Sequence, residues 1–272
     1  MDYKTIATVG KVETHVEDKV AVITLADPPG NGVGKQVTDR ILELLDQYEA
    51  DDGVRCIMFT HEGPDFSSCG AGAEEFELIN QGLSMVEVSG YFRASGRRLV
   101  KRIDEYPKPT LSVGKGSCMG AAYTLFSCPD IRIAGESLTL YNPDFYMGIA
   151  SDWGLTGSRL PLWLGRNRML DLNYLGDEMT ARDLYNIGAI SKVVPDDKLA
   201  EEGMRIARKM ARTSPLVVRY FKEDLRRVIY GGALEGNVAK EVEDADIVLA
   251  TEDSRLGSQA FTNGTYYEFQ GR

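Results

Sequence analysis

Two rhythms of apolar positions run along the chain. "VAVITLAD" (20–27) is continuously apolar and β-branched and ends at "PPGNG", the pattern of a buried strand closed by a turn. "QVTDRILELLDQYEAD" then places Val37, Ile41, Leu44 and Leu45 on one helical face. "VRCIMFTHEG" reads as a second buried strand and "FSSCGAGAEEF" (66–76) as a glycine-rich loop. "MVEVSGYFRASGRRLVKRIDEY" predicts a long helix that stops before Pro107. "PTLSVGKG" is a third strand and "DIRIAG" a fourth, with a helix through "YTLFSC" between them. Strands alternating with helices predict an α/β fold.

Beyond about residue 165 the pattern becomes mainly helical. "TARDLYNIG" opens on Thr180, suited to an N-cap, and stops at Gly188. "SPLVVRYFKEDLRRVIYGG", "NVAKEVEDADIVLAT" and "EDSRLGSQAF" are amphipathic. The division this predicts is a core over residues 1–200 and a helical region over 201–272.

Composition narrows the chemistry. The 272 residues are 43% hydrophobic, enough for a sizeable core. Forty-one acidic residues against 31 basic give a net charge of -10, which disfavours a nucleic-acid partner. Local basic residues can still hold an anionic ligand. No apolar run is long enough to span a bilayer, and the N-terminal residues lack the apolar core of a signal peptide. Cys56, Cys69, Cys118 and Cys128 form no CxxC pair, the pattern of buried thiols in a reducing cytoplasm. His15 and His61 are the only histidines, so a His-rich metal site is excluded and a Ser-His triad is a poor fit. The work falls to carboxylates, hydroxyls and backbone.

"GSCMGAAYT" (116–124) carries almost no bulk and leads into a helix. Small residues there permit close packing of helix on sheet. They equally suit an anion site, because the first amides of a helix are unpaired and the macrodipole lies behind them. "CGAGA" (69–73) is a second bare loop after another strand. Two such loops can aim two N–H donors at one oxygen, the geometry of an oxyanion hole.

In this order the segments resemble the crotonase, or enoyl-CoA hydratase/isomerase, superfamily. "VAVITLADPPGNGV", "AGAEEF", "KPTLSVGKGSCMGAAYTLFSCPDIRIAG", "SPLVVRYFKEDLRR" and "FQGR" carry the resemblance through most of the chain. It implies a spiral of ββα units with a helical C-terminal trimerisation region, in a homotrimer or homohexamer. It further implies an acyl-CoA thioester substrate, with coenzyme A present only as part of that substrate. Two backbone amides would polarise the thioester carbonyl and stabilise its enolate. One belongs to Ala121. The other is Ala73 if "AGAE" is matched to the family motif, or Gly70 if residues are counted from Phe66.

Hydratases of this family use a glutamate where this chain has Thr124, and a threonine cannot exchange a proton as a carboxylate does. The second family glutamate corresponds to Asp144 in "NPDFYMG". "MGIASDWGLTGSRLP" adds Asp152 where several family isomerases carry a carboxylate. The pattern therefore implies double-bond isomerisation, with Asp152 as acid/base and Asp144 as its partner. Burial against Trp153, Tyr146 and Phe145 would raise the carboxyl pKa towards the useful range. Read without the resemblance, Asp152 is an N-cap and Asp144 a turn residue. Tyr123 and Tyr141 are candidates for the acyl pocket or ordinary core. Lys222 is a candidate for the CoA phosphates or a solvated helix face. Two rivals remain at this stage. One is a hydratase or C–C hydrolase that activates water with Asp144 and Asp152, and the other is a silent acyl-CoA-binding subunit.

Overall fold

The computed structural model describes residues 10–71, 73–147, 153, 156–231, 246–263 and 265–272. Its centre is a six-stranded sheet in the order β1-β2-β3-β4-β6-β9. These strands are Val12–Glu17, Val20–Leu25, Cys56–His61, Thr110–Gly114, Ile131–Gly135 and Lys192–Val194. Only the β1–β2 pair is antiparallel. β1 lies in a stretch that the apolar pattern leaves unassigned. Its residues alternate half-exposed and polar, so it adds little to the core and gives little signal.

The strand side chains sort onto two faces by the two-residue period. Ala21, Ile23 and Leu25 of β2 face one core with Ile57 and Phe59, while Val20 and Val22 face a second with Cys56 and Met58. Helix α1 (Lys35–Ala50) closes the first face with Val37, Ile41, Leu44 and Leu45. Burying each such side chain contributes about 1.5–3 kcal/mol. α2 (Ala73–Asn80) and α3 (Met85–Asp104) follow. α3 starts from a capping box between Ser84 and Glu87, as its sequence of "S-x-x-E" favours.

A second, three-stranded sheet joins β5 (Ser117–Met119), β7 (Thr139–Tyr141) and β8 (Met179–Thr180). β5 falls inside the small-residue stretch and leads directly into α4 (Ala121–Ser127). Short helices α5 (Asp144–Met147), α6 (Thr156–Arg159), α7 (Pro161–Leu170) and α8 (Ala181–Asn186) follow in the chain. α8 carries the Thr180 capping box that its sequence favours, with Asp183 as partner. α9 (Leu199–Ala211) closes the second face of the main sheet, where Gly203 comes within close contact of Val113. α10 (Pro215–Ile229) buries none of its residues, and α11 (Glu252–Thr262) ends the helical region. Most of the segment "NVAKEVEDADIVLAT" and all of Asp152 lie outside the described residues.

Candidate active site

The two bare loops meet. Phe66 donates its amide to the Lys115 carbonyl, Ser67 to that of Ser117, and Met119 back to that of Ser67. Ser67 thus pairs with Cys118 of β5 in a single parallel bridge. Gly70 arrives at the turn with φ +54°, and Gly120 faces it with φ +57°. A side-chain carbon on Gly70 would lie 3.6 Å from the Ala121 nitrogen and 3.6 Å from the Gly120 Cα. One on Gly120 would lie 3.6 Å from the Gly70 Cα. Glycine is favoured at both places by the left-handed backbone and by the close approach. The Gly70 carbonyl is pinned by the Val33 amide at 2.6 Å. Among the described residues no acceptor is found for the Gly70 or Ala121 amide.

Ala73, the other candidate donor, begins α2 three residues further on. The loop is one residue pattern but two structures: a tight turn through Gly70, then a helix. The helical start was hidden because "CGAGAE" reads as glycine-rich throughout. Glu74 shows why the helix forms there. Its carboxylate accepts the Lys35 amide at 2.8 Å and so caps α1, whose own N-cap, Gly34, has no side chain to do so. Its other oxygen accepts the Tyr91 hydroxyl at 2.9 Å.

The third strand of the site follows on. Gly120 donates its amide to the Tyr141 carbonyl at 3.2 Å, which sets the chain of β7 beside the Gly70–Gly120 contact. Asn142 is fully buried and donates to the Asn173 side chain at 2.7 Å. That fixes the short segment leading to Asp144, which begins α5 and is half-buried. Phe145 and Tyr146, expected to bury the carboxyls, are 49% and 63% exposed instead. Tyr146 points outward to donate to the Tyr174 carbonyl. Trp153 does pack inward, over Gly96 of α3, where no side chain could fit.

Tyr123 is 1% exposed on α4, and its hydroxyl lies beside those of Thr124 and Thr156 without good hydrogen-bond geometry to either. Burial pushes its pKa up, and the Asp144 charge adds to that. Thr124 is also buried and shares a 3.2 Å hydrogen bond with Thr156. The position that holds a carboxylate in two-glutamate hydratases is therefore a closed pair of hydroxyls. Tyr141 is half-exposed at the end of β7. Lys222 does not stand free for a phosphate. Its ammonium donates to Asp130 at 2.9 Å and to the Lys108 carbonyl at 3.4 Å, which ties α10 to the core.

One carboxylate with a raised pKa was not singled out from the sequence. Glu75, next to the capping Glu74, is half-buried, and no hydrogen bond to it is found among the described residues. Burial first, and the Asp144 charge second, raise its pKa above the ordinary carboxylate value. The only signal for it was the second glutamate of "AEEF", which looks like ordinary helix surface.

A glycine turn at Gly70 thus lies against the start of α4, as the small-residue loops led one to expect. The sequence profile of the family Enoyl-CoA hydratase/isomerase matches residues 15–272, and the chain belongs to that family. It is 29% identical over 260 residues to a probable enoyl-CoA hydratase of Bacillus subtilis, covering 94% of this chain and 97% of that one. It is 27% identical over 263 residues to 1,2-epoxyphenylacetyl-CoA isomerase of Escherichia coli, covering 95% and 98%. The crystal structure of an enoyl-CoA hydratase from Bacillus anthracis superposes with a TM-score of 0.86 at 25% identity, covering 97% and 100%.

Proposed function

We propose that the protein is an acyl-CoA enzyme that moves a double bond through an enolate held by the Gly70 and Ala121 amides. The observation that carries the choice of isomerisation is the Thr124–Thr156 hydroxyl pair where a two-glutamate hydratase needs an acid. An unaided carboxylate is too weak a base for a thioester α-proton. Each hole donor lowers that barrier by roughly 3–4 kcal/mol. In this reading Asp152 takes the proton and Asp144 acts as its partner. Gly70 is preferred to Ala73 because its backbone lies against the Ala121 amide. Tyr123 and Tyr141 would border the acyl group. Lys222 is set aside by its engagement with Asp130.

A hydratase is the second reading, favoured by the Bacillus subtilis relative's name. A panel of enoyl-CoA thioesters followed by mass spectrometry separates the two. Isomerisation moves the chromatographic peak without changing the mass, and hydration adds one water. Absence of turnover and of α-proton exchange across the panel would sink both and leave a silent binding subunit. The assembly is proposed to be a homotrimer or homohexamer. Its location is proposed to be the cytoplasm, where four buried free thiols stay reduced. No helix among the described residues is long and apolar enough to cross a membrane.

A further inference from the structure

The seven residues of α4 span about 10 Å at 1.5 Å per residue, so a tilt at the far end of this helix is felt at Ala121. That far end is held by two buried guanidinium groups. Arg159 of α6 is 3% exposed and donates to the Ser127 carbonyl at 3.1 Å and to the Cys128 carbonyl at 2.8 Å. Arg132 of β6 is buried as well and donates to the carbonyls of Ser127 at 3.1 Å and Pro129 at 2.6 Å. The end of a helix leaves such carbonyls without intrahelical donors. Asp104, the last residue of α3, accepts from Arg159 at 3.1 Å, and its other oxygen accepts from Arg226 of α10 at 3.3 Å. Three residues before Arg159, Thr156 shares its 3.2 Å hydrogen bond with Thr124 in the middle of α4. The four-residue helix α6 therefore grips α4 at two points.

Burying cations beside one another is costly. Burial, and the charge of Arg159 after it, lower the Arg132 pKa to about 10. Buried ionic groups add little net stability over apolar packing, whereas the planar fork of an arginine fixes the direction of what it binds. The two amides of the proposed hole also have separate anchors. Gly70 is held through its carbonyl by the Val33 amide, and Ala121 belongs to the helix that α6 grips.

We propose that Thr156 and Arg159 are positioning residues of the main-chain hole: together they set the direction of α4, and with it the aim of the Ala121 amide. This rests on the hole proposed above. Neither residue touches the thioester, and each acts through α4. A hydrogen bond weakens steeply as its angle closes, so a loosened α4 costs one donor of the pair while the Gly70 donor stays in place.

The test uses the full-length protein and butyryl-CoA labelled with carbon-13 at its thioester carbonyl. The saturated chain neither isomerises nor adds water, so the label reads polarisation whichever reaction the enzyme runs. In the parent the bound carbonyl resonance is expected downfield of the free thioester. Arg159→Lys keeps the charge without the fork, and Thr156→Val keeps the shape without the hydroxyl. Each is expected to lose about half of that displacement, the share of one donor in two. On an enoyl-CoA that the parent turns over, kcat is expected to fall roughly 10- to 100-fold with KM nearly unchanged. The shift of a bound molecule does not depend on how much of the protein is folded. A role in stability alone would therefore lower Tm and leave the displacement at the parent's value, and that result in either folded variant would overturn the proposal. If Arg159→Lys does not fold, Thr156→Val decides. A parent that leaves butyryl-CoA unbound or its carbonyl unshifted would overturn the hole itself, and the proposal with it.

Discussion

Ala121 occupies the first position of α4, and that decides how its amide is best tested. Proline fits the first helical position, whose N–H has no intrahelical acceptor. Ala121→Pro is therefore expected to fold and bind coenzyme A thioesters, while losing the donor and with it 100- to 1000-fold in kcat. Near-normal turnover in a folded variant would place the hole elsewhere. His61 offers a different residue-scale test. Its Nε2 accepts the Lys115 amide at 3.2 Å, and burial lowers its pKa to about 4. The unfolded chain binds this proton near the ordinary value of about 6.5. Between those values the unfolded state holds more protons, so stability is lost as pH falls from about 6.5 towards 4. The loss is on the order of 1–3 kcal/mol, since part of the ring meets solvent. His61→Gln keeps an acceptor without titrating, so its Tm should fall less over that range than the parent's.

At the scale of elements, what was legible in the sequence follows from how much each element buries. β2, β3, β4 and β6 are almost wholly buried, and their continuous apolar runs could be read at once. β5, β7 and β9 have only three residues each, too few for any period to show. The proposed hole was half legible. Its two loops were visible as small-residue stretches, but choosing Gly70 over Ala73 needs the Ser67–Cys118 pairing, a contact between segments about 50 residues apart in the chain. The C-terminal tail shows a clasp of the same long-range kind. Asp253, in the first turn of α11, is 2% exposed and accepts the amides of Gln270 and Gly271 and the Tyr267 hydroxyl. Against the cost of burial, these donors hold its pKa below the ordinary carboxylate value. Asp253→Ala leaves them unpaired, at about 1–3 kcal/mol in the local structure. Limited proteolysis should then cut residues 265–272 from the variant faster than from the parent. Equal cutting rates would show that Phe269, packed against Gly257, holds the tail unaided.

For the whole molecule, the informative surface is α10. Its inward side is polar, tied to the core by Lys222–Asp130 and by Arg226 to Asp104 and Glu105. Val217, Phe221, Leu225 and Val228 lie at helical spacing and are exposed. Apolar residues in one stripe mark a contact surface. Light scattering is expected to give a trimer or hexamer, and Phe221→Glu with Leu225→Glu to shift it towards monomer. A parent that remains monomeric at micromolar concentration would refute the assembly.

The meeting of Gly70 with Ala121 has one more consequence, for how such a site can change over generations. The proposed electrophilic half is written in the main chain, where nearly every side-chain substitution leaves an amide in place. The proposed half that chooses the reaction is written in side chains, at Thr124, Asp144 and Asp152. Variation can therefore search reactions without losing activation of the thioester. A combinatorial library over those three positions is a search of chemistry on a constant foundation. Libraries at Gly70 and Gly120 instead put the foundation itself at risk.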